Sequence, residues 1–233
     1  MVLLGQRLGK SYLQYNRGII MRGIKFNDLH SYNEWGLILS EKELKSPDIK
    51  TYTVDLEGSN GILDFTEFFG AVKYENRQLT FRFIKPNITP DGFLSLYSLV
   101  QNALHGKKMQ VILDDDPAYF YYGRVSINEW KSNKGIGEIV IEVDAEPFKQ
   151  SISETSVTRS VSSSAGITLE NDKMPVVPTI TTNAEMLLDF GSYNEIFPAG
   201  TFQVPEIELG EGSNYVYVEG TGTITFRYRK GRL

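Results

Sequence analysis

The sequence predicts a mainly β protein with one helix, in two domains that meet near residue 150. Three observations carry this. Apolar residues alternate with polar ones in several short stretches punctuated by Gly, Asn, Asp and Pro. One stretch, 90–105, has the helical period instead. The composition then changes after Phe148: residues 151–164 hold seven serines, two threonines and no aromatic.

In chain order, residues 1–20 are polar and patternless, with an excess of positive charge. They read as an arm or extra sequence before the fold, with a disordered tail or a misassigned start as the plainer alternative; 1–22 is an extension of unknown role, and Met21 a second available start. Ile24 and Phe26 alternate with Lys25 and Asn27 in a first strand. In 51–57, Tyr52, Val54 and Leu56 share one face, the period of a half-buried strand, and Gly58-Ser59-Asn60-Gly61 turns the chain. Leu79, Phe81 and Phe83 give another strand, stopped at Lys85-Pro86-Asn87. Phe93, Leu96, Tyr97, Val100, Ala103 and Leu104 then recur at three- and four-residue steps. Thr89-Pro90 supplies an N-cap and a proline at the first helical position, and Gly106 with Lys107 and Lys108 ends the helix.

Residues 109–146 predict a run of antiparallel strands. The apolar run 109–113 is broken by Asp114-Asp115-Asp116-Pro117, and 118–125 is rich in aromatics. Ser132-Asn133-Lys134-Gly135 is a turn. In 138–146, Ile139, Ile141, Val143 and Ala145 share one face. The serine-rich stretch reads as a linker or a weak edge strand. The last 60 or so residues read as a sandwich of short strands. Its candidate strands are 176–181, 186–190, 204–209, 215–219 and 224–228, with glycine-rich turns at 210–214 and 220–222.

Composition removes several function classes. There is no cysteine, so no disulfide framework, thiol nucleophile or thiolate metal site. The two histidines, His30 and His105, are too far apart in sequence for a helical metal pair. A formal charge of −5 disfavours binding of nucleic acid through its phosphates. No apolar run reaches the 18 or so residues of a membrane helix, and the first residues are too briefly apolar for a signal peptide. The chain is therefore expected to stay in the cytoplasm where it is made, or to leave by a route that needs no signal.

No constellation carries chemistry. Asp114, Asp115 and Asp116 invite a metal or an acid–base pair. Neighbouring strand positions point to opposite faces, however, and the loop lacks the ligand spacing of a calcium site, so a charged turn is expected. His105, at a helix C-terminus, is expected to complement the dipole when protonated, and His30 sits in a polar loop. Gly106-Lys107-Lys108 follows a helix instead of opening one, so it is no phosphate loop. Tyr119, Tyr121, Tyr122, Tyr215 and Tyr217 offer a sugar-stacking platform, but alternate aromatics on strands more often serve a core or a subunit contact. We therefore expect no catalytic, metal or cofactor-binding residue and no cofactor.

Taken together, these pieces resemble a family. The helix end Leu104-His105-Gly106-Lys107, the strand 109–113, Asp115-Asp116-Pro117 and Tyr121-Tyr122-Gly123-Arg124-Val125 resemble the central pattern of the distal tail protein (Dit) family of long-tailed bacteriophages, the siphoviruses. Gly23-Ile24-Lys25-Phe26-Asn27 and the turn before Gly61 fit its N-terminal part. Ala145-Glu146-Pro147-Phe148-Lys149 resembles the end of its first domain. The stretch from Ile207-Glu208-Leu209 through Ile224-Thr225-Phe226-Arg227-Tyr228-Arg229 to Gly231 and Leu233 resembles its ending. The motif positions Gly106, Lys107, Asp116, Pro117, Gly123 and Arg124 carry a structural role in this reading.

The resemblance implies a virion protein at the distal end of the tail, assembled in the bacterial host cytoplasm. Residues 23–150 would be a β-barrel-like domain with one helix that forms a hexameric ring, the baseplate hub. Residues 151–233 would be a small galectin-like β-sandwich at the periphery. The implied partners are five further copies of the chain, the tail tube protein, a tail-associated lysin or fibre protein and a receptor-binding protein. DNA would pass through without specific binding, and nothing would insert into a membrane. Tyr119, Tyr121 and Trp130 are the expected subunit contacts. A carbohydrate-binding sandwich module, or a cell-wall glycosidase using two carboxylates, are the alternatives.

Overall fold

The computed structural model describes residues 23–233 apart from Ser59, Phe69 and Lys134. The arm 1–22 lies outside the described residues. The protein is mainly β, with antiparallel sheets throughout.

The first half is built around three long strands. In β6 (Arg77–Pro86), Leu79, Phe81 and Phe83 are fully buried, and the strand pairs along its whole length with β9 (Ile136–Ala145), from Arg77↔Ala145 to Pro86↔Ile136. Ile139, Ile141, Val143 and Ala145 of β9 face the same core, as their alternation predicts. On the other side of β9 runs β8 (Tyr119–Asn133), which pairs in turn with β7 (Lys108–Leu113) and then β1 (Ile24–Phe26). Short β2 (Leu29–His30) ends this side of the sheet, and β3 (Ile38–Leu44) ends the other beyond β6. One core takes side chains from β1, β6, β7, β8, β9 and both helices, so the sheet curls around it. An ion pair between Lys42 on β3 and Asp115, just past β7, joins opposite regions of the curl.

The helix α2 (Pro90–Leu104) covers this core with Phe93, Val100 and Leu104. The Thr89 hydroxyl accepts from the Gly92 amide at 3.2 Å, the cap its sequence predicts. Two features were hidden in the sequence. A second, one-and-a-half-turn helix, α1 (Ser31–Trp35), is capped by the His30 ring instead of a Ser, Thr, Asp or Asn. Edge strand β3 reads as a loop because Ser40-Glu41-Lys42-Glu43 shows no alternation, as befits an exposed edge.

The strand expected at 51–57 is a correction. Only Thr53–Asp55 (β4) is strand, it pairs only with Ile62–Asp64 (β5), and every residue of both is exposed. Alternation gave the right conformation but not burial, because this hairpin lies off the main sheet. The turn joining it uses Gly58 at φ 86° and Gly61 at φ 80°, where a Cβ would be strained.

The second half is a sandwich. β11 (Thr155–Val161), β18 (Gly222–Tyr228), β13 (Thr179–Thr182) and β16 (Gly200–Gln203) form one sheet in that order. β12 (Ser164–Asn171), β17 (Gly212–Gly220), β14 (Met186–Phe190) and β15 (Tyr193–Phe197) form the other. Ile180, Ile224 and Phe226 from the first meet Ile167, Leu188, Val216 and Val218 from the second in one core. The serine-rich stretch is an edge strand and not a linker, since β11 holds a seven-residue register with β18. Two expected strands change. Residues 204–209 are a turn, with Ile207 N–H bonded to the Val204 carbonyl, and Pro205 removes a donor a strand would need. Pro178 likewise delays the strand expected from 176, which begins at Thr179.

The two halves share a ladder. β10 (Lys149–Ser151) pairs with the start of β8 on one side and with β19 (Gly231–Arg232) on the other. The chain's last strand thus returns to the first half.

Candidate functional site

The motif residues converge on structural contacts. Gly106, at φ 78°, turns the chain out of α2 and donates to the Val125 carbonyl at 2.8 Å. The Lys107 ammonium donates to the carbonyls of Asn102 and Ala103, at 3.0 and 2.7 Å, answering the negative end of the helix. The Arg124 guanidinium donates to the Gly106 carbonyl at 2.6 Å. Gly123 sits where β8 lies tight against β9: a Cβ would lie 2.5 Å from the Asp144 carbonyl oxygen. Together they clamp the end of α2 to the centre of the sheet.

The three aspartates diverge, each toward a different segment. Asp114 accepts from the Gly23 amide at 2.6 Å and from His30 Nε2 at 3.1 Å. Asp115 pairs with Lys42, and Asp116, beside Pro117, with Lys149 at 2.7 Å. One turn therefore ties down the start of β1, the edge strand β3 and the start of the second half. It is a charged turn, as expected, but its job is to staple three distant segments. Among the described residues no three His, Asp or Glu side chains gather in a way that would hold a metal ion.

Both histidines accept a backbone N–H at Nδ1. In His30 it accepts from the amides of Tyr32 and Asn33, leaving Nε2–H for Asp114. In His105 it accepts from the Ile127 amide at 3.1 Å, where β8 bulges between Ile127 and Glu129. The His105 ring is thus engaged with a β8 amide, and the ammonium beside the last carbonyls of α2 is that of Lys107.

The five tyrosines form no common platform, since three lie on β8 and two on β17 of a different sheet. Tyr119 lies under Lys149 and Arg232. Tyr121 is only 5% exposed, beneath the buried Arg77 guanidinium. Tyr122 carries the Lys108 ammonium 4.6 Å above its ring. That ammonium's hydrogen bond to Glu146 raises its pKa.

What the first half does offer is exposed apolar surface, in two places. The hairpin β4–β5 presents Tyr52, Val54, Ile62 and Leu63, the last two 65% and 45% exposed. Beside it a cavity of about 320 Å³ is lined by Tyr52, Thr53, Val54, Phe65 and Phe68. The second place is centred on Trp130, 42% exposed, its ring tilted against those of Tyr97 and Phe93 at centroid distances of 5.4 and 5.9 Å. Exposed Leu94 lies one helical turn before Tyr97. Trp35, by contrast, is buried in the core. Exposed apolar patches of this kind mark contact surfaces.

No protein-family model matches the chain, and a search of curated proteins finds no match. Among solved structures it is similar to the crystal structure of SPP1 Dit (gp 19.1), described as a paradigm of the hub adsorption apparatus in phages that infect Gram-positive bacteria. The TM-score is 0.65 at 15% sequence identity, over 91% of this chain and 99% of that one. The likeness in fold therefore runs through both halves of the chain.

Proposed function

We propose that this chain is a structural, non-enzymatic component of a bacteriophage tail. It would form a hexameric hub ring at the distal end that joins the tail tube to the host-adsorption device. The observation that carries this is the match in fold to a Dit hub protein over almost the whole of both chains. The exposed apolar surfaces of the first half support it, since a ring closes through two different patches on each subunit. Six copies of a −5 chain carry −30, which lets DNA pass without sticking. The second half, a compact sandwich tied back by β19, would sit outside the ring.

Exposure favours Trp130 as the subunit contact; Tyr119 lies beside the junction of the halves, and Tyr121 is buried beneath Arg77. The test is sedimentation of the 233-residue chain and of its Trp130→Asp variant across a concentration series. A concentration-dependent hexamer that the substitution weakens at least tenfold supports the reading. A chain that stays monomeric at every concentration, or whose assembly ignores Trp130, counts against this contact.

A further inference from the structure

The edge strand of a sheet leaves a row of backbone N–H and C=O groups unpaired, and folded proteins shield long edges with bulges, charges, prolines or inward-pointing ionic side chains. Among the described residues the longer edges are β3, β11, β12 and β15. β3 carries a bulge and the run Glu41-Lys42-Glu43. β11 sets Arg159 opposite buried Ile224, on its core-facing row, and β15 sets Glu195 opposite buried Leu188. β12 has no such device. It contains no Pro, Lys or Arg, and it holds an eight-residue register with β17 without a bulge.

The pairing fixes which groups of β12 are free. The Ser163 carbonyl accepts from the Gly220 amide at 2.8 Å, so the odd-numbered residues turn their backbone groups to β17. The even-numbered Ser164, Gly166, Thr168 and Glu170 turn theirs to the free edge. The Glu170 carbonyl is taken there by the Tyr228 hydroxyl at 2.8 Å, which leaves the other three residues as the open stretch. The ring of Tyr215, 61% exposed, lies across β12 in the space a Gly166 side chain would fill. The four strands of this sheet hold no Lys or Arg, and its outer face carries Glu170, Asp189 and Glu219. Among the described residues none of these three pairs with a Lys or Arg. On the inner side Ala165, and Val157 of the adjoining β11, are only partly buried against the core.

We propose that β12 receives an extended segment of a partner protein as an added strand, apolar on its inner row and carrying Lys or Arg on its outer row. The backbone ladder supplies affinity and the alternate side chains specificity. Apolar residues on the inner row continue the rim of Ala165 and Val157. Cations on the outer row meet the unpaired carboxylates and the Tyr215 ring. A second copy of β12 is the wrong partner, since it brings the same carboxylates and no cation. The site lies in the second half and does not rest on the hub reading.

The test follows amide hydrogen exchange in the full chain with a short synthetic peptide in which valine alternates with lysine or arginine, at up to about 1 mM. Exchange across 164–170 should slow by about tenfold, and should not slow with the same peptide carrying glutamate in place of its cations. Thr168→Pro removes an N–H that faces the edge and not β17, so it should abolish the effect while β14 and β17 keep their protection. Glu170→Lys combined with Glu219→Lys leaves the ladder intact and should weaken the cationic peptide by about tenfold; it decides alone if the proline variant unfolds. No slowing with the cationic peptide, equal slowing with the glutamate peptide, slowing at β3, β11 or β15 instead, or unchanged affinity in the charge variant would overturn the proposal.

Discussion

A methyl group added to Gly123 would sit 2.5 Å from the Asp144 carbonyl oxygen and 2.6 Å from the Ala145 Cα, both backbone atoms that cannot step aside. Gly123→Ala should therefore push β8 from β9 and cost about 2 kcal/mol, a fall in Tm of roughly 4–8 °C. Gly106→Ala meets nothing within 4 Å and carries only the strain of φ 78°, so about 1 kcal/mol is expected. Thermal melts of the two variants should fall in that order, and equal losses would contradict the close-approach argument. Tyr193 gives a pH-dependent case. Burial and then its hydrogen bond to Glu195 push its hydroxyl up to about 12. A group whose folded pKa is raised stabilises the fold fully below its unfolded value, near 10, and loses that effect as pH rises through 12. Tyrosinate absorbance should show a late-titrating component that Tyr193→Phe removes; a titration unchanged by the substitution would be against it. Apart from Glu195, two residues from Tyr193, these partners were not legible locally. Asp114 and His30 lie 84 positions apart, and nothing near either names the other.

At the scale of elements, periodicity served wherever one face is buried. The strands carrying Phe81 and Ile141 and the helix ending at Leu104 were all readable, because the buried face imposes its period. Strands without a buried face left no such mark, as in β3 and β15, and the hairpin β4–β5 showed the period without the burial. The pairing of β19 with β10 was invisible for another reason: a two-residue strand is fixed by its neighbours and not by its own sequence. That pairing has a consequence. The Arg229 guanidinium donates to the carbonyls of Ser151 and Ile152 and lies over the Phe120 ring, bridging the two halves. We propose that the halves are separate folding units clasped here, one core on each side. Arg229→Ala should loosen the clasp, speeding limited proteolysis between 146 and 154 several-fold while both fragments stay folded. Cleavage appearing first within 90–145 would contradict it.

For the whole molecule, the sequence suffices to read a mainly β chain with a sandwich at its end, and the order of its short motifs resembles the Dit family. The assembly surface is only half legible. The sequence shows more aromatic residues in the first half than its strands can hide, but not which stay outside; the structure buries Trp35 and Tyr121 and exposes Trp130. The central claim is that such surfaces close a six-fold ring. Electron microscopy of the purified 233-residue chain, at the highest concentration it tolerates, tests this most directly. The account predicts ring-shaped particles with six-fold symmetry, a mass near six times 26.3 kDa and an open centre. Monomers alone, closed two-fold dimers, or assemblies formed by residues 151–233 without the first half would contradict it.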